Sequence, residues 1–475
     1  MHQRLLQNIF SFKSVIILIT LLGLLVRLFY LMNLQIALDE SYTYSLSTLR
    51  FKDLIFQNGQ YWDYSHPSGF YLFAKLWSAL GTSETWLRIP SLLSYIGSIF
   101  FLIKTMKIFR SKLATFLTVT IFCFQPIFIE MSTQFRMYGL ILFIFTACIY
   151  LVTRLLSDRC PSKIQATLFS LLLAVGFYID YASVWLIGTV IVLTCVLILL
   201  RHSKANMFLK MILLIGIFVL PQAMVVVTHT AQINDLNRHL TTIFTDNGFR
   251  IYLGFVGMFG FVNLGFVTLG VAILSSIYQT LISFYKKHEN WPTYCFLSLG
   301  ILVPLTTATV YSFIFHPLFQ IRNLVVVNMF VVTGLGIFVS RIPVHKVTAL
   351  LTCLCLIPIL YVFFINNTTL YRINNTQSRD ARLLLERGCG AYYIGGDSGF
   401  FSLGTYTLYY DMIPYPLHTE IHRVLTFTEL QSVLNQTTRT CSVLFVGYDI
   451  DEQTRQLLQD TDGYCQENMC SLIDI

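Results

Sequence analysis

The sequence predicts a polytopic α-helical membrane protein carrying a small α/β domain at its C-terminal end. Three observations carry that prediction. The 475 residues are 55% hydrophobic and only 12% charged, with a mean hydropathy of +0.66, whereas soluble domains hold roughly 25% charged residues. Apolar runs long enough to cross a bilayer as helix, which takes roughly 20 residues, follow one another through most of the chain. From about Ser378 the hydropathy falls and the apolar period changes.

The runs place spans near 14–32, 88–109, 113–131, 138–156, 164–181, 183–200, 207–228, 262–285, 293–313, 323–340 and 347–365, about eleven in all. The first run is too long for the apolar core of a signal peptide and no small-residue cleavage site follows it, so it reads as a retained anchor. Basic residues fix the orientation. Arg4 and Lys13 precede the first span, Lys104, Lys107, Arg110 and Lys112 separate the second from the third, and Arg201, Lys204 and Lys210 follow the sixth. These clusters fall on one side, which predicts a cytoplasmic N-terminus and an extracytoplasmic C-terminus. The net charge of +8 is spread over these loops rather than gathered on one face, so it points to topology and not to nucleic acid.

Two intervals read differently. Residues 66–87 are apolar at Tyr71, Leu72, Ala74, Leu76 and Trp77 but short and interrupted by Lys75, a pattern that suits an interfacial helix better than a span. Residues 249–262, rich in Gly and Phe, read as a re-entrant segment or as the start of a longer tilted helix. The membrane part therefore covers 1–365, with a first extracytoplasmic loop over about 33–87, and 366–475 forms the α/β domain. In that domain 379–387 reads as a charged helix, 391–394 and 442–446 as buried strands, and 426–434 as a helix with Thr426 and Glu429 at capping-box spacing. Gly395-Gly396-Asp397-Ser398-Gly399 lacks the lysine of a P-loop and the spacing of a dinucleotide fingerprint. Asn-x-Thr triplets begin at Asn366, Asn367, Asn374 and Asn435 and would accept glycans only in a eukaryotic secretory pathway.

Of the 11 cysteines, Cys123, Cys148, Cys195, Cys295, Cys353 and Cys355 lie in apolar runs and read as packing residues. Cys353 and Cys355 have no neighbouring His or carboxylate to complete a metal set. Cys389, Cys441, Cys465 and Cys470 lie in the polar C-terminal region, an even number able to form two disulfides if that region is outside the cytoplasm.

The groups able to do chemistry collect in the extracytoplasmic loops: Asp39 and Glu40, Asp63 and His66, Arg88, Gln134 with Arg136 and Tyr138, Asp180, and His316 with Arg322. Polar residues near span ends are commonly only solvated. Arg88 and Arg136, however, sit on the side where positive charge is depleted, which suggests that an anion holds each there. Phosphate is the natural anion at a membrane surface, and arginine grips it through a planar fork. A carboxylate pair beside such arginines is what group transfer from a lipid phosphate requires: a base for the acceptor hydroxyl and cations for the departing phosphate.

Leu38-Asp39-Glu40-Ser41-Tyr42, then His66-Pro67-Ser68-Gly69-Phe70-Tyr71, then Glu84-Thr85-Trp86-Leu87-Arg88-Ile89-Pro90-Ser91 resemble, in order and spacing, the first luminal loop of the membrane glycosyltransferases of the GT-C superfamily. The resemblance is to the bacterial branch similar to protein mannosyltransferases and to the aminoarabinose transferase of lipid A. Gln134-Phe135-Arg136-Met137-Tyr138, and His316-Pro317 with Arg322-Asn323, resemble that branch's later luminal motifs. The resemblance implies Asp39 as catalytic base with Glu40 in support, and substrate contacts from His66, Arg88, Arg136, Tyr138 and Arg322. It implies no organic cofactor. A divalent cation, Mg²⁺ or Mn²⁺, is implied less directly. The family commonly has an acid where Gln134 stands, which leaves Asp39 and Asp180 as candidate ligands. A second departure is Ser68 in place of a proline.

The function expected is transfer of a sugar from a polyprenyl-phosphate donor to a lipid, glycan or protein acceptor at the outer face of the inner (plasma) membrane, in contact with membrane lipids. The competing reading is a transporter or flippase of lipid-linked or small polar substrates. Transporters keep polar groups near the bilayer midplane and often show inverted repeats; here the polar set lies at one face and no internal repeat is evident. A sensory or structural protein would leave the first loop without a role.

Overall fold

The computed structural model describes residues 12–33, 38–56, 66–158, 160–228, 262–286, 290–314 and 325–339, together with five short strands beyond residue 389. The chain divides into two units, one of 1–33, 50–73 and 85–368, the other of 34–49, 74–84 and 369–475. The first unit holds the long helices: α1 (Phe12–Asn33), α5 (Glu84–Ile108), α6 (Lys112–Phe124), α7 (Pro126–Met131), α8 (Met137–Ser157), α9 (Lys163–Ile179), α10 (Ser183–Leu199), α11 (Ala205–Thr228), α12 (Val262–Tyr285), α13 (Trp291–Ile314) and α14 (Val325–Val339). The short α3 (Phe51–Ile55) also belongs to it. Helix α2 (Leu38–Thr48) lies in the second unit, and α4 (Gly69–Ser78) runs from the first into the second.

Among the described residues five helices are long and apolar enough to cross a membrane, and five shorter apolar helices accompany them. The protein is a polytopic helical membrane protein. Helices occupy each expected span except 347–365, which lies outside the described residues, as do the expected re-entrant segment before Val262 and the helices expected at 379–387 and 426–434. Helix α8 is buried on almost every face. By contrast α1 turns Ile17, Leu18, Leu21, Leu25 and Phe29 outward, and α11 turns out Leu213, Ile217, Leu220 and Val227. Outward apolar stripes of this length suit a lipid surround, since water would oppose them.

One expected span is two helices. The run 113–131 breaks at Gln125, which takes the extended backbone (φ −67°, ψ 126°) imposed by a following proline. Pro126 then opens α7 at its first turn, where its missing N–H costs nothing. Upstream, Arg110 at φ 55° closes α5 in the left-handed region. Ser111 next caps α6, its hydroxyl accepting from the Ala114 N–H at 3.1 Å. Glycines set the closest approaches in the bundle: a Cβ on Gly336 of α14 would overlap the Thr118 hydroxyl of α6.

The ends of the first unit's helices gather in two sets. At one end the rings of Phe109 and Tyr294 lie 5.9 Å apart, and Ser157 meets Thr293 at 3.4 Å. There Lys204 donates to the carbonyls of Leu156 (2.5 Å) and Asp158 (2.7 Å), closing α8 with a cation where the helix dipole is negative. The loops at this end carry the basic residues assigned to the cytoplasm. The opposite end gathers the starts of α5 and α8 and the finish of α9.

In the second unit, Lys75 of α4 donates to the carbonyls of Ser47 (3.2 Å) and Thr48 (3.4 Å) at the end of α2. Strands β1 (Gly390–Ile394), β2 (Ile421–Val424) and β3 (Ser442–Val446) form a parallel sheet in the order β2-β1-β3. Strands at 391–394 and 442–446 were expected from their apolar runs; β2 was not. Strands β4 (Tyr464–Gln466) and β5 (Met469–Ser471) make an antiparallel pair.

Candidate active site

The site assembles in the first unit from three segments that the sequence separates. The first is the loop His66-Pro67-Ser68, which enters α4 at Gly69. A Cβ on Gly69 would overlap the carbonyl of Tyr178, so only glycine lets this loop lie on the last turn of α9, two residues before Asp180. The second is the start of α5, which carries Arg88. One turn on, Ser91 donates to the Gln134 carbonyl at 2.6 Å, and a Cβ on Gly139 would come within 2.8 Å of the Ser91 Cα. The third is the turn 132–136 between α7 and α8. Its Phe135 ring packs against Phe70 at 6.1 Å, which ties it to the His66 loop.

These contacts bring Arg136, His66 and Asp180 together. Arg136 lies 3.3 Å from the His66 Nε2 through its Nη2, and its guanidinium sits 5.7 Å from the centre of the Tyr138 ring. Asp180 accepts the Ala182 N–H at 2.8 Å. Burial pushes its carboxyl above the usual carboxylate range, while His66, the Ala182 N–H and Arg136 act in the opposite sense. Arg88, Arg136, Tyr138 and Asp180 are all buried. Buried arginines at a helix-end cluster are expensive unless an anion or an array of acceptors meets them.

Asp39 and Glu40 open α2 in the second unit. An acidic pair in the first turn compensates the helix dipole, but a pair serving only that purpose needs no burial, and Glu40 is 1% exposed. Arg322 and His316 lie outside the described residues. Of the two candidate metal ligands, Asp180 faces positive charge from His66 and Arg136, which fits a counter-ion better than a cation ligand. Among the described residues no group of three or more His, Cys, Asp or Glu stands ready to hold a metal.

No protein-family model matches the sequence, and no curated protein matches it. Solved structures do. The crystal structure of ArnT from Cupriavidus metallidurans bound to undecaprenyl phosphate matches over 96% of this chain and 97% of its own, with a TM-score of 0.52 at 10% identity. The Archaeoglobus fulgidus oligosaccharyltransferase tethered to an acceptor peptide matches over 89% of this chain and 65% of its own, with a TM-score of 0.50 at 10% identity. The fold is GT-C.

Within this fold the structure adds one residue that the sequence pattern does not single out. Arg27 is fully buried in α1. Its Nε donates to the Ser132 hydroxyl at 2.6 Å, and its Nη1 to the carbonyls of Cys123 (2.8 Å) and Gly23 (3.1 Å). Its Nη2 donates to the Phe122 carbonyl at 3.3 Å, and the guanidinium stacks 3.7 Å from the centre of the Tyr95 ring. Phe122 would normally bond the N–H of residue 126, which Pro126 lacks. Arg27 thus satisfies carbonyls freed by the α6–α7 break and anchors Ser132, the start of the turn that delivers Arg136. The signal was present as one basic residue inside the apolar run 14–32.

Proposed function

We propose that this protein is a glycosyltransferase that moves a sugar from a polyprenyl-phosphate donor to a lipid, glycan or protein acceptor at the outer face of the cytoplasmic membrane. The observation that carries the reading is the gathering of buried Arg136 and Asp180 with half-buried His66, beside the Arg88 turn of α5, at the helix ends opposite the basic loops, in a GT-C-like fold. ArnT, the neighbour of matching length, was solved with undecaprenyl phosphate bound. That ligand is the kind of product such a transfer would release. In the full reading about eleven spans cross the membrane, the N-terminus is cytoplasmic, and 366–475 form an extracytoplasmic α/β domain.

In the proposed reaction Asp39 takes the proton of the acceptor hydroxyl as its oxygen bonds to the anomeric carbon. The bond from that carbon to the phosphate oxygen breaks, and polyprenyl phosphate leaves. A single displacement through an oxocarbenium-like transition state inverts configuration. Arg88 and Arg136 take up the charge that develops on the leaving phosphate, with His66 and Tyr138 holding Arg136. Asp180 balances the charge of Arg136 and His66. Glu40 supports Asp39, and of the two candidate ligands Asp39 is the one left for a divalent cation; no step is assigned to one. Arg27, a buried charge inside the first span of the kind that would suggest a transport path, is consumed by backbone carbonyls.

The test is sugar transfer by purified wild-type and Asp39→Asn protein in nanodiscs, offered a panel of radiolabelled polyprenyl-phosphate sugars with and without EDTA. Wild type should transfer or slowly hydrolyse one donor, and Asp39→Asn should lose at least about a hundredfold, since general bases contribute roughly 10²–10⁴. Full activity in the variant would remove Asp39 as the base.

A further inference from the structure

Strand register in the second unit selects partners for the four C-terminal cysteines. Four cysteines can pair in three ways, and sequence spacing does not choose among them. In the antiparallel pair β4–β5, Cys465 is the register partner of Cys470. Directly opposed residues in such a pair have Cα atoms roughly 4.5–5.5 Å apart, inside the roughly 4.4–6.8 Å that a disulfide spans. In the parallel pair β1–β3, Gly390 is the register partner of Ser442, and the residues preceding these two in the chain are Cys389 and Cys441. Parallel neighbours lie roughly 4.8 Å apart, and each cysteine is one Cα step from a paired position.

We infer that the protein carries two disulfides, Cys465–Cys470 and Cys389–Cys441, and that they close the C-terminal sheet and hairpin. The inference rests on the reading above that this region is extracytoplasmic, where disulfides form and persist. Each bond forms by thiol–disulfide exchange with a disulfide oxidant of that compartment. Two cysteine thiols give up two protons and two electrons, the new S–S bond forms, and the oxidant's disulfide is reduced to two thiols. The first disulfide locks the hairpin register. The second ties the leading ends of β1 and β3, and so the segment that follows the last expected span to one that begins about 50 residues later.

The experiment uses the full-length protein in native membranes. Free thiols are blocked with N-ethylmaleimide under denaturing conditions, and the chain is then cut with trypsin and with a glutamate-specific protease that cleaves after Glu467. Because Glu467 lies between Cys465 and Cys470, and Arg423 and Arg439 lie between Cys389 and Cys441, each disulfide should appear as two peptides joined until reduction. Cys465→Ser should make Cys470 alkylatable while Cys389–Cys441 stays joined. Alkylation of all four cysteines before reduction, or peptides joined in either crossed pattern, would overturn the inference. A C-terminal alkaline phosphatase fusion, read in parallel, tells which premise fell. An active fusion with free thiols condemns the pairing, and an inactive one condemns the orientation together with the disulfides that depend on it.

Discussion

Replacing Arg27 by lysine and by methionine separates the value of its hydrogen bonds from the cost of its charge. A cation at the centre of a span costs roughly 2.5–3.5 kcal/mol in insertion experiments. Here that cost is offset by four donated bonds and the Tyr95 ring. Gly23 already bonds within the α1 ladder, so the carbonyls of Phe122 and Cys123 are the acceptors left orphaned when the guanidinium goes. Each buried unsatisfied acceptor costs about 1–3 kcal/mol. Arg27→Met therefore loses about 2–6 kcal/mol and regains about 2.5–3.5 by no longer burying a charge, for a net effect between about 1.5 kcal/mol of stabilisation and about 3.5 kcal/mol of destabilisation, centred on about 1 kcal/mol of destabilisation. Arg27→Lys keeps the charge but gives up the planar fork. It loses about two charge-assisted bonds at about 1.5–3 kcal/mol each, with no refund. The expected order of stability is wild type, methionine, lysine, read as unfolding temperature of the purified protein in one detergent. A lysine variant as stable as the methionine variant would refute the assignment of Arg27 to the freed carbonyls.

Gly69→Ala should lower both the unfolding temperature and donor turnover, because its methyl meets the Tyr178 backbone and overpacking costs about 1–3 kcal/mol; Gly216→Ala, with nothing near its Cβ, should be neutral or mildly stabilising in the same assays. Arg136→Lys should reduce kcat/KM for a polyprenyl-phosphate donor by about tenfold to a hundredfold, the loss of one charge-assisted bond of about 1.5–3 kcal/mol, with the unfolding temperature nearly unchanged. The raised Asp180 carboxyl binds its proton more tightly in the native protein than in the unfolded chain. Its contribution to stability is therefore fully present below the ordinary value of about 3.9 and is lost as pH rises through the native value. Asp180→Asn should abolish that part of the pH dependence in thermal unfolding, and an unchanged profile would show that Asp180 is not the buried group responsible.

Much of the membrane part was legible because a bilayer demands long apolar helices. Runs such as 138–156 and 207–228 therefore became α8 and α11 within a few residues. The α6–α7 break was hidden because Ile127, Phe128 and Ile129 keep the run apolar across Pro126. Likewise one arginine barely alters the hydropathy of 14–32, so Arg27 passed unnoticed. Strands β1 and β3 announce themselves through Tyr392-Tyr393-Ile394 and Val443-Leu444-Phe445, whereas β2 carries His422 and Arg423, which mask its pattern. At the site, Arg88 and Arg136 stand out in the sequence as positive charge on the side where the expected topology depletes it. Their grouping with His66 and Asp180 could not be read, because it depends on Gly69 meeting Tyr178 and Gly139 meeting Ser91. Those close approaches join residues far apart in the chain, and no local pattern encodes them.

The Arg27 anchor also sets a constraint on how the chain enters the membrane. Its acceptors at Phe122 and Ser132 lie 95 and 105 residues further along. A ribosome adding roughly 5–20 residues per second needs about 5–20 s to make that stretch. For that interval α1 exists with a cation and none of the distant groups that receive it. The nascent helix must meanwhile sit high enough for the side chain to reach the interfacial water, or remain sheltered at the insertion site. Settling of the first helix to its final depth thus waits on synthesis of α6, α7 and the turn that follows them, although α1 is the first of these helices made.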